Sequence, residues 1–290
     1  VFHEVARFRD LELSAQRPLK IKQVNILRII GSMAPSQGGP CQGIRNSIPE
    51  LSKQGLVTEV ASLDANDAGF LGVDLFPIHP LGPGRGPWAY NRKLVPWLIE
   101  NLPRYDVVII HGLWLYHSYA IHKALKILRH REPLSHARIP RCFVMPHGML
   151  DPYFQRDSSR RWKAVRNWIY WKLVERRVVN DADGILFTCE QEMRLARETF
   201  KGYQPRQQLN IGYGVAEPPA RTPAMEAAFG AACPGLGEQP YLLFLSRIHP
   251  KKGVDLLIRA YTEFARSATQ SLPVLVIAGP LDSAYARDMQ

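Results

Sequence analysis

Short apolar runs alternate along this chain with longer stretches in which apolar residues return every three or four positions. The first rhythm suits strands and the second suits helices. Strands are predicted over 21–30, with Val24, Ile26, Ile29 and Ile30, and over 57–63, 76–81, 106–110, 141–145, 184–188 and 208–213. Helices are predicted between them over 42–53, over 88–102 with a kink at Pro96, and over 116–129, 158–180 and 190–200. The runs at 107–110 and 185–187 are apolar on both faces, as expected of parallel strands covered on both sides. Past a Pro-, Ala- and Gly-rich stretch the alternation restarts: strand 241–247, helix 254–266, strand 273–278 and the beginning of another helix.

This pattern gives an α/β fold built on a parallel sheet with helices on both faces. The expected organisation is a polar tail over 1–19, an N-terminal domain over 20–216, a linker over 217–240 and a partial C-terminal domain over 241–290. Two strands and one and a half helices bury too little surface for an independent domain. The chain therefore reads as the front part of a longer protein, and its lack of an initial Met leaves the true N-terminus open.

Composition narrows the class. The 290 residues are 46% hydrophobic and 22% charged, ordinary for a globular protein. No apolar run reaches the length of a membrane span, and the first ten residues lack the apolar core of a signal peptide. The four cysteines, Cys41, Cys142, Cys189 and Cys233, have no metal-ligand spacing. Cys142 and Cys189 read as buried free thiols, which favours a reducing cytoplasm. The net charge of +11 suits phosphorylated ligands, an anionic membrane or nucleic acid.

Three places carry candidate chemistry. The first is the basic turn between the strand at 241–247 and the helix at 254–266, with Arg247, Lys251, Lys252 and Gly253. A strand that turns into a helix through glycine presents free N–H groups and a positive dipole end, so the turn is an anion site with phosphate as its usual guest. The second is the pair Gly38 and Gly39 after the first strand, where a backbone can approach a ligand closely. The third is a pair of strand-end histidines, His111 before Gly112 and His147 before Gly148. In doubly wound sheets ligands gather at such ends, and a histidine there can position a hydroxyl. Asp151 is a candidate to orient His147, while His79, His117, His122, His130 and His136 read as surface or packing residues.

Residues 156–177 hold eight basic and two acidic side chains, a net of +6, interleaved with Trp162, Trp168, Tyr170 and Trp171. A helix of this kind is a solvated surface helix, a membrane-surface helix or a nucleic-acid grip. No nucleic-acid motif accompanies the charge.

The stretch from Ser246 to Ile258, Ser-Arg-Ile-His-Pro-Lys-Lys-Gly-Val-Asp-Leu-Leu-Ile, resembles the start of the donor domain of retaining glycosyltransferases of family 4, also called group 1. The segment Pro146 to Asp151 and the run Asp181 to Thr188 resemble the same family. The resemblance implies a GT-B fold of two facing Rossmann-like domains, the second incomplete here. It implies metal-independent transfer from a nucleotide-sugar donor to a saccharide or lipid-linked acceptor, as in polysaccharide assembly, with no cofactor and no bound metal. It assigns Arg247 and Lys252 to the donor diphosphate and, together with His147, to catalysis, Gly38 and Gly39 to the donor phosphates, and His111 and His147 to the acceptor side. The family's two glutamates, seven residues apart, would lie beyond Gln290. The implied partners are the donor, the acceptor and an anionic membrane surface, without nucleic acid, for a cytoplasmic protein peripheral to the inner face of a membrane. The alternative reading is a non-catalytic binding or scaffold protein on the same fold.

Overall fold

The structure is a computed structural model and describes residues 23–135, 138–157, 160–237 and 239–289. The tail at 1–19, the first residues of the predicted strand at 21–30, His136 and the start of the predicted helix at 158 lie outside the described residues. The chain divides into two units at Ala216 and Glu217.

The first unit contains strands β1 (Val24–Ile30), β2 (Leu56–Ser62), β3 (Ile78–Pro80), β4 (Val107–His111), β5 (Arg141–Met145), β6 (Gly184–Phe187) and β7 (Gln208–Asn210). They form one parallel sheet in the order β3-β2-β1-β4-β5-β6-β7. Its helices are α1 (Gly39–Lys53), α2 (Leu94–Asn101), α3 (Tyr116–Ser135), α4 (Tyr153–Arg156), α5 (Arg161–Tyr170), α6 (Arg176–Asp181) and α7 (Glu190–Thr199).

Alternation along β1 and β2 divides the core. Leu27, Ile29, Ala61 and Leu63 pack with residues of α2, α3, α6 and α7 in the main cluster. Ile30 and Val60 point the other way, onto Met33 and the α1 stripe of Cys41, Ile44 and Ile48. Two carboxylates pin strand starts: Asp106 accepts from Asn25 N at 2.9 Å and Asp183 from Cys142 N at 2.7 Å. Such paired backbone donors are what keep strand ends inside a sheet satisfied.

Several elements differ from the sequence expectation for local reasons. Helix α1 begins at Gly39, not at Gln42, so Gly38 and Gly39 are a helix start and not a free loop. Gly38, at φ +78°, is the N-cap, and Pro40 sits in the first turn, where its missing N–H costs nothing. Pro96 makes no kink because α2 starts only two residues before it. The predicted helix over 158–180 is three pieces: α5, a π-helical turn at Trp171–Glu175, and α6.

Cys189 is exposed at the N-cap of α7, where its sulfur accepts from Glu192 N. Cys142 is buried, and its thiol is pushed up to about 12, by burial first and then by Asp183. All four cysteines are free. Among the described residues no helix is long and apolar enough to cross a membrane.

The second unit contains α8 (Pro223–Ala232), β8 (Tyr241–Leu245), α9 (Val254–Ser267), β9 (Val274–Ala278) and α10 (Ala284–Asp288), with β8 and β9 parallel. Helix α8 lies within the stretch expected as linker, capped by the Thr222 hydroxyl on Met225 N. The sequence presents 241–245 as a buried strand, yet Tyr241, Leu242, Leu243 and Leu245 are exposed. A two-stranded sheet has too few neighbours to cover its faces, and among the described residues its buried cluster is Ile248, Val254 and Ala286.

Candidate active site

Strands β4 and β5 are neighbours in full register, with His111 opposite Met145. His111 is the last residue of β4, and His147 follows the end of β5 by two residues. Parallel pairing thus brings together two side chains far apart in the sequence. His111 Nδ1 lies 2.9 Å from His147 Nε2, and the rings stack at 5.1 Å. One proton occupies that N···N line, so neither ring needs a second charge.

Electrostatics agree with a neutral pair. Burial, then Arg28 and then the neighbouring histidines hold His111 well below its usual range. Burial likewise brings His147 down to about 4, with Glu192 opposing the shift and Arg28 reinforcing it. His117, in the first turn of α3, is fully buried and bonds the His111 carbonyl through Nε2 at 3.0 Å. It is therefore a support of the strand end, where the sequence suggests only a surface or packing residue.

The His147 turn is held from behind. His147 has φ +52° and Gly148 φ +77°, two consecutive left-handed residues. Left-handed backbone in a bulky residue is costly and persists only where the surroundings impose it. Here Glu192 supplies the constraint: Oε1 accepts from Gly148 N at 2.5 Å, and Oε2 accepts from Thr188 N and Oγ1 at 2.9 and 2.6 Å. Asp151, the sequence candidate for orienting His147, accepts from Tyr153 N through its carboxylate and donates its own N–H to the Gly148 carbonyl. The corresponding turn after β4 is held by Glu175, which is fully buried in the π-helical turn. It accepts from Trp114 N, a residue at φ +71°, and from Ser118 Oγ.

The Gly38 and Gly39 start of α1 reaches this site through Tyr213. The Tyr213 hydroxyl donates to the Gly39 carbonyl at 2.5 Å, and its ring stands edge-on to His147 at 6.4 Å. Gly43, one turn further along α1, is required for this approach, because a Cβ there would overlap the Tyr213 ring. The loop leading into α1 is fixed by Asp64 on Ser32 and on Met33 N, and by the Arg45–Asp74 pair at 2.7 Å. A cavity of about 280 Å³ opens between α1 and the sheet, lined among others by Arg28, Ser47, His111, His147 and Tyr213. Of these, Arg28, Ser47 and Tyr213 were not singled out by the sequence, although Arg28 is the one charged side chain in β1.

In the second unit the basic turn has the expected local form. Pro250–Lys252 is a short 3-10 turn, and Gly253, at φ +68°, leads into α9. Arg247 and Lys252 are exposed, and neither side chain makes a hydrogen bond or ion pair among the described residues. The first turn of α9 is partly occupied: Asp255 N donates to the Tyr285 hydroxyl, which donates to the Asp255 carboxylate at 2.8 Å. Among the described residues no group of three or more His, Cys, Asp or Glu side chains has the arrangement of a metal site.

Known proteins resemble this chain in sequence and fold. The family model described as glycosyl transferase 4-like domain matches residues 38–214. A GDP-mannose-dependent α-(1-6)-phosphatidylinositol monomannoside mannosyltransferase of Mycolicibacterium smegmatis is 29% identical over 147 residues, 47% of this chain and 37% of that protein. Among solved structures, a glycosyltransferase of Rickettsia africae superposes with a TM-score of 0.58 at 12% identity. HepE of Anabaena, solved with UDP and glucose, superposes with a TM-score of 0.54 at 16% identity. Each superposition covers 92% of this chain and 64% of the other. At such identities the likeness shows the fold, which is that of the GT-B glycosyltransferases, and the chain spans less than two thirds of each of these relatives. With its matched segment running from the glycine start of α1 to the loop that carries Tyr213, the chain belongs to the glycosyl transferase 4-like family.

Proposed function

We propose that the protein transfers a sugar from a nucleotide-sugar donor to a saccharide or lipid-linked acceptor, with retention and without a metal ion. The observation that carries this reading is the His111–His147 pair at the strand ends, joined through Tyr213 to the glycine start of α1. In this reading Arg247 and Lys252 bind the donor diphosphate and neutralise the charge that grows as the bond from the anomeric carbon to the phosphate oxygen breaks. At the Gly38 and Gly39 helix start the Gly38 N–H is held by the Pro35 carbonyl, so Gly39 offers the N–H to the phosphates while Gly38 sets the turn that exposes it. His147, with His111 behind it, hydrogen-bonds the acceptor hydroxyl. That oxygen bonds the anomeric carbon on the face the diphosphate leaves, and its proton passes to the departing phosphate oxygen.

GDP-mannose and UDP-glucose head the donors to be tested, because one relative is named as dependent on GDP-mannose and another was solved with UDP and glucose. The test is a transfer assay on the full-length protein with a panel of donors, in the presence and absence of EDTA. Transfer that survives chelation and keeps the anomeric configuration of the donor supports the reading. Inversion, or complete loss with EDTA, refutes the mechanism. Diphosphate binding without transfer of any sugar identifies the alternative, a binding protein on the same fold.

An anionic membrane surface is the partner we assign to the basic helix. Trp162, Val165, Trp168, Ile169 and Leu173 are exposed, while Trp171 alone of the interleaved tryptophans is buried, stacked on Phe200. Lys172 lies 3.9 Å over the Trp168 ring. Exposed aromatic and aliphatic side chains among cations are the composition of an interfacial helix. The protein would then work at the inner face of a membrane, from the cytoplasm.

A further inference from the structure

The cavity between α1 and the sheet contains a cation that has no counter-ion among the described residues. Arg28 points from the middle of β1 and is only 8% exposed. Its one hydrogen bond among the described residues runs from Nη1 to Ser47 Oγ at 3.0 Å, and its Nε is buried without a partner. His111, 3% exposed in the same cavity, also keeps a buried ring nitrogen, Nε2, without a partner. No lining residue of the cavity is acidic. Glu192, which acts on His147, is already committed to Gly148 N and Thr188. Burial brings the Arg28 guanidinium down to about 10, which still leaves it charged at neutral pH.

A buried charge without a partner is strongly unfavourable, and a fold retains one where something else supplies the partner. Guanidinium Nε–H and Nη–H groups form a planar fork that matches an oxyanion, and a neutral imidazole N–H beside it adds another donor. The space of about 280 Å³ exceeds that of a phosphate or carboxylate and leaves room for the group that carries it.

We infer that the cavity between α1 and β1–β4 is a binding site for an oxyanion, with Arg28 and His111 as its donors, and that the oxyanion belongs to the acceptor. The binding step stands on the cavity alone. Its assignment to the acceptor rests on the proposed transfer reaction, in which His147, in the same cavity, meets the acceptor hydroxyl. The acceptor is then a compound with a phosphate or carboxylate close to its attacking hydroxyl.

The test uses the whole chain with Arg247→Ala and Lys252→Ala in every sample, so that the basic turn of the second unit adds no anion binding. Calorimetric titration compares inorganic phosphate and acetate on this background with Arg28 intact and with Arg28→Met. Saturable binding of either anion, weakened at least about tenfold by the substitution, is the expected result; tighter phosphate points to a phosphorylated acceptor and tighter acetate to a carboxylate. No binding with Arg28 intact, or equal binding to the Met variant, overturns the inference and leaves the transfer reaction untouched. A second measurement guards against misfolding. Because Arg28→Met removes a lone buried cation, its Tm without added anion should equal or exceed that of the background, and the stabilisation by phosphate should vanish. A Tm lowered by more than about 5 °C would mean that Arg28 is part of the scaffold, and would also overturn the inference.

Discussion

Glu192 accepts a hydrogen bond from the backbone N–H of Gly148 at 2.5 Å, across 44 residues of sequence. The same carboxylate caps its own helix at Thr188, so one side chain ties the start of α7 to the turn that presents His147. Glu192→Ala should destabilise the first unit by about 1–3 kcal/mol, the range for leaving charge-assisted hydrogen bonds unmade. Glu192→Gln, which keeps an acceptor oxygen but loses the charge, should cost less. Both should lower the His147 pKa further, since Glu192 is the group that raises it. NMR titration of the His147 ring together with urea unfolding reads both effects, and an unmoved His147 would detach Glu192 from the site.

Arg247 and Lys252 should each contribute about 1–3 kcal/mol to binding a nucleoside diphosphate, if the ligand partly removes them from water. Arg247→Ala and Lys252→Ala in the full-length protein are expected to weaken UDP or GDP by roughly 5- to 150-fold. Calorimetry measures this directly, and unchanged affinity would remove the basic turn from the donor site.

His147→Ala is expected to lower transfer while nucleotide affinity stays as it was. Because the position is left-handed at φ +52°, His147→Asn is the better-matched control: asparagine tolerates that backbone and cannot replace the ring. Equal activity of the Asn variant would exclude a catalytic role for His147.

Two buried groups set opposite pH dependences. His117 titrates at about 4 when folded, by burial, against its ordinary 6.5. The unfolded chain takes up that proton first, so the stability His117 contributes is complete above about pH 6.5 and is lost as pH falls toward about 4, up to about 3 kcal/mol. Glu175 runs the other way: burial, opposed by its bonds from Ser118 and Trp114 N, pushes it up to about 7. Its contribution is complete below about pH 4.5 and is lost as pH rises through about 7. Glu175→Gln should therefore gain about 2 kcal/mol relative to wild type between about pH 5 and about pH 8.5. Urea unfolding at the two pH values checks the sign, and a gain at the acidic end would contradict it.

Trp162→Ala combined with Trp168→Ala should reduce binding to vesicles containing anionic lipid, because the two rings are 88% and 50% exposed and support little of the core. Co-sedimentation with and without anionic lipid is the measurement. Binding indifferent to lipid charge or to the two rings would leave α5 a solvated helix.

Periodicity was enough to place the strands of the first sheet, because each is a short apolar run between breakers. Its errors fall where a backbone decision depends on distant groups. The start of α1 moved to Gly39 because Gly38 caps it and the loop before it is fixed from Asp64 and Asp74. The basic helix broke at Trp171–Glu175, where the π-helical turn carries a buried carboxylate to Trp114 and Ser118. Strand β8 has the composition of a buried strand, but exposure depends on neighbouring layers, and the second unit has few.

The sequence by itself determined the α/β alternation, the strand-end positions of His111 and His147, and the local chemistry of the Arg247–Lys252 turn. These follow from spacing and residue type, which are properties of short segments. Only the tertiary structure decided that His111 bonds His147, that the distant Glu192 holds the turn, and that Arg28 is a charge without an acidic neighbour in a cavity shared with both histidines. Those relationships arise from strand order and register, which set residues 36 to 119 positions apart side by side and leave no trace in local spacing.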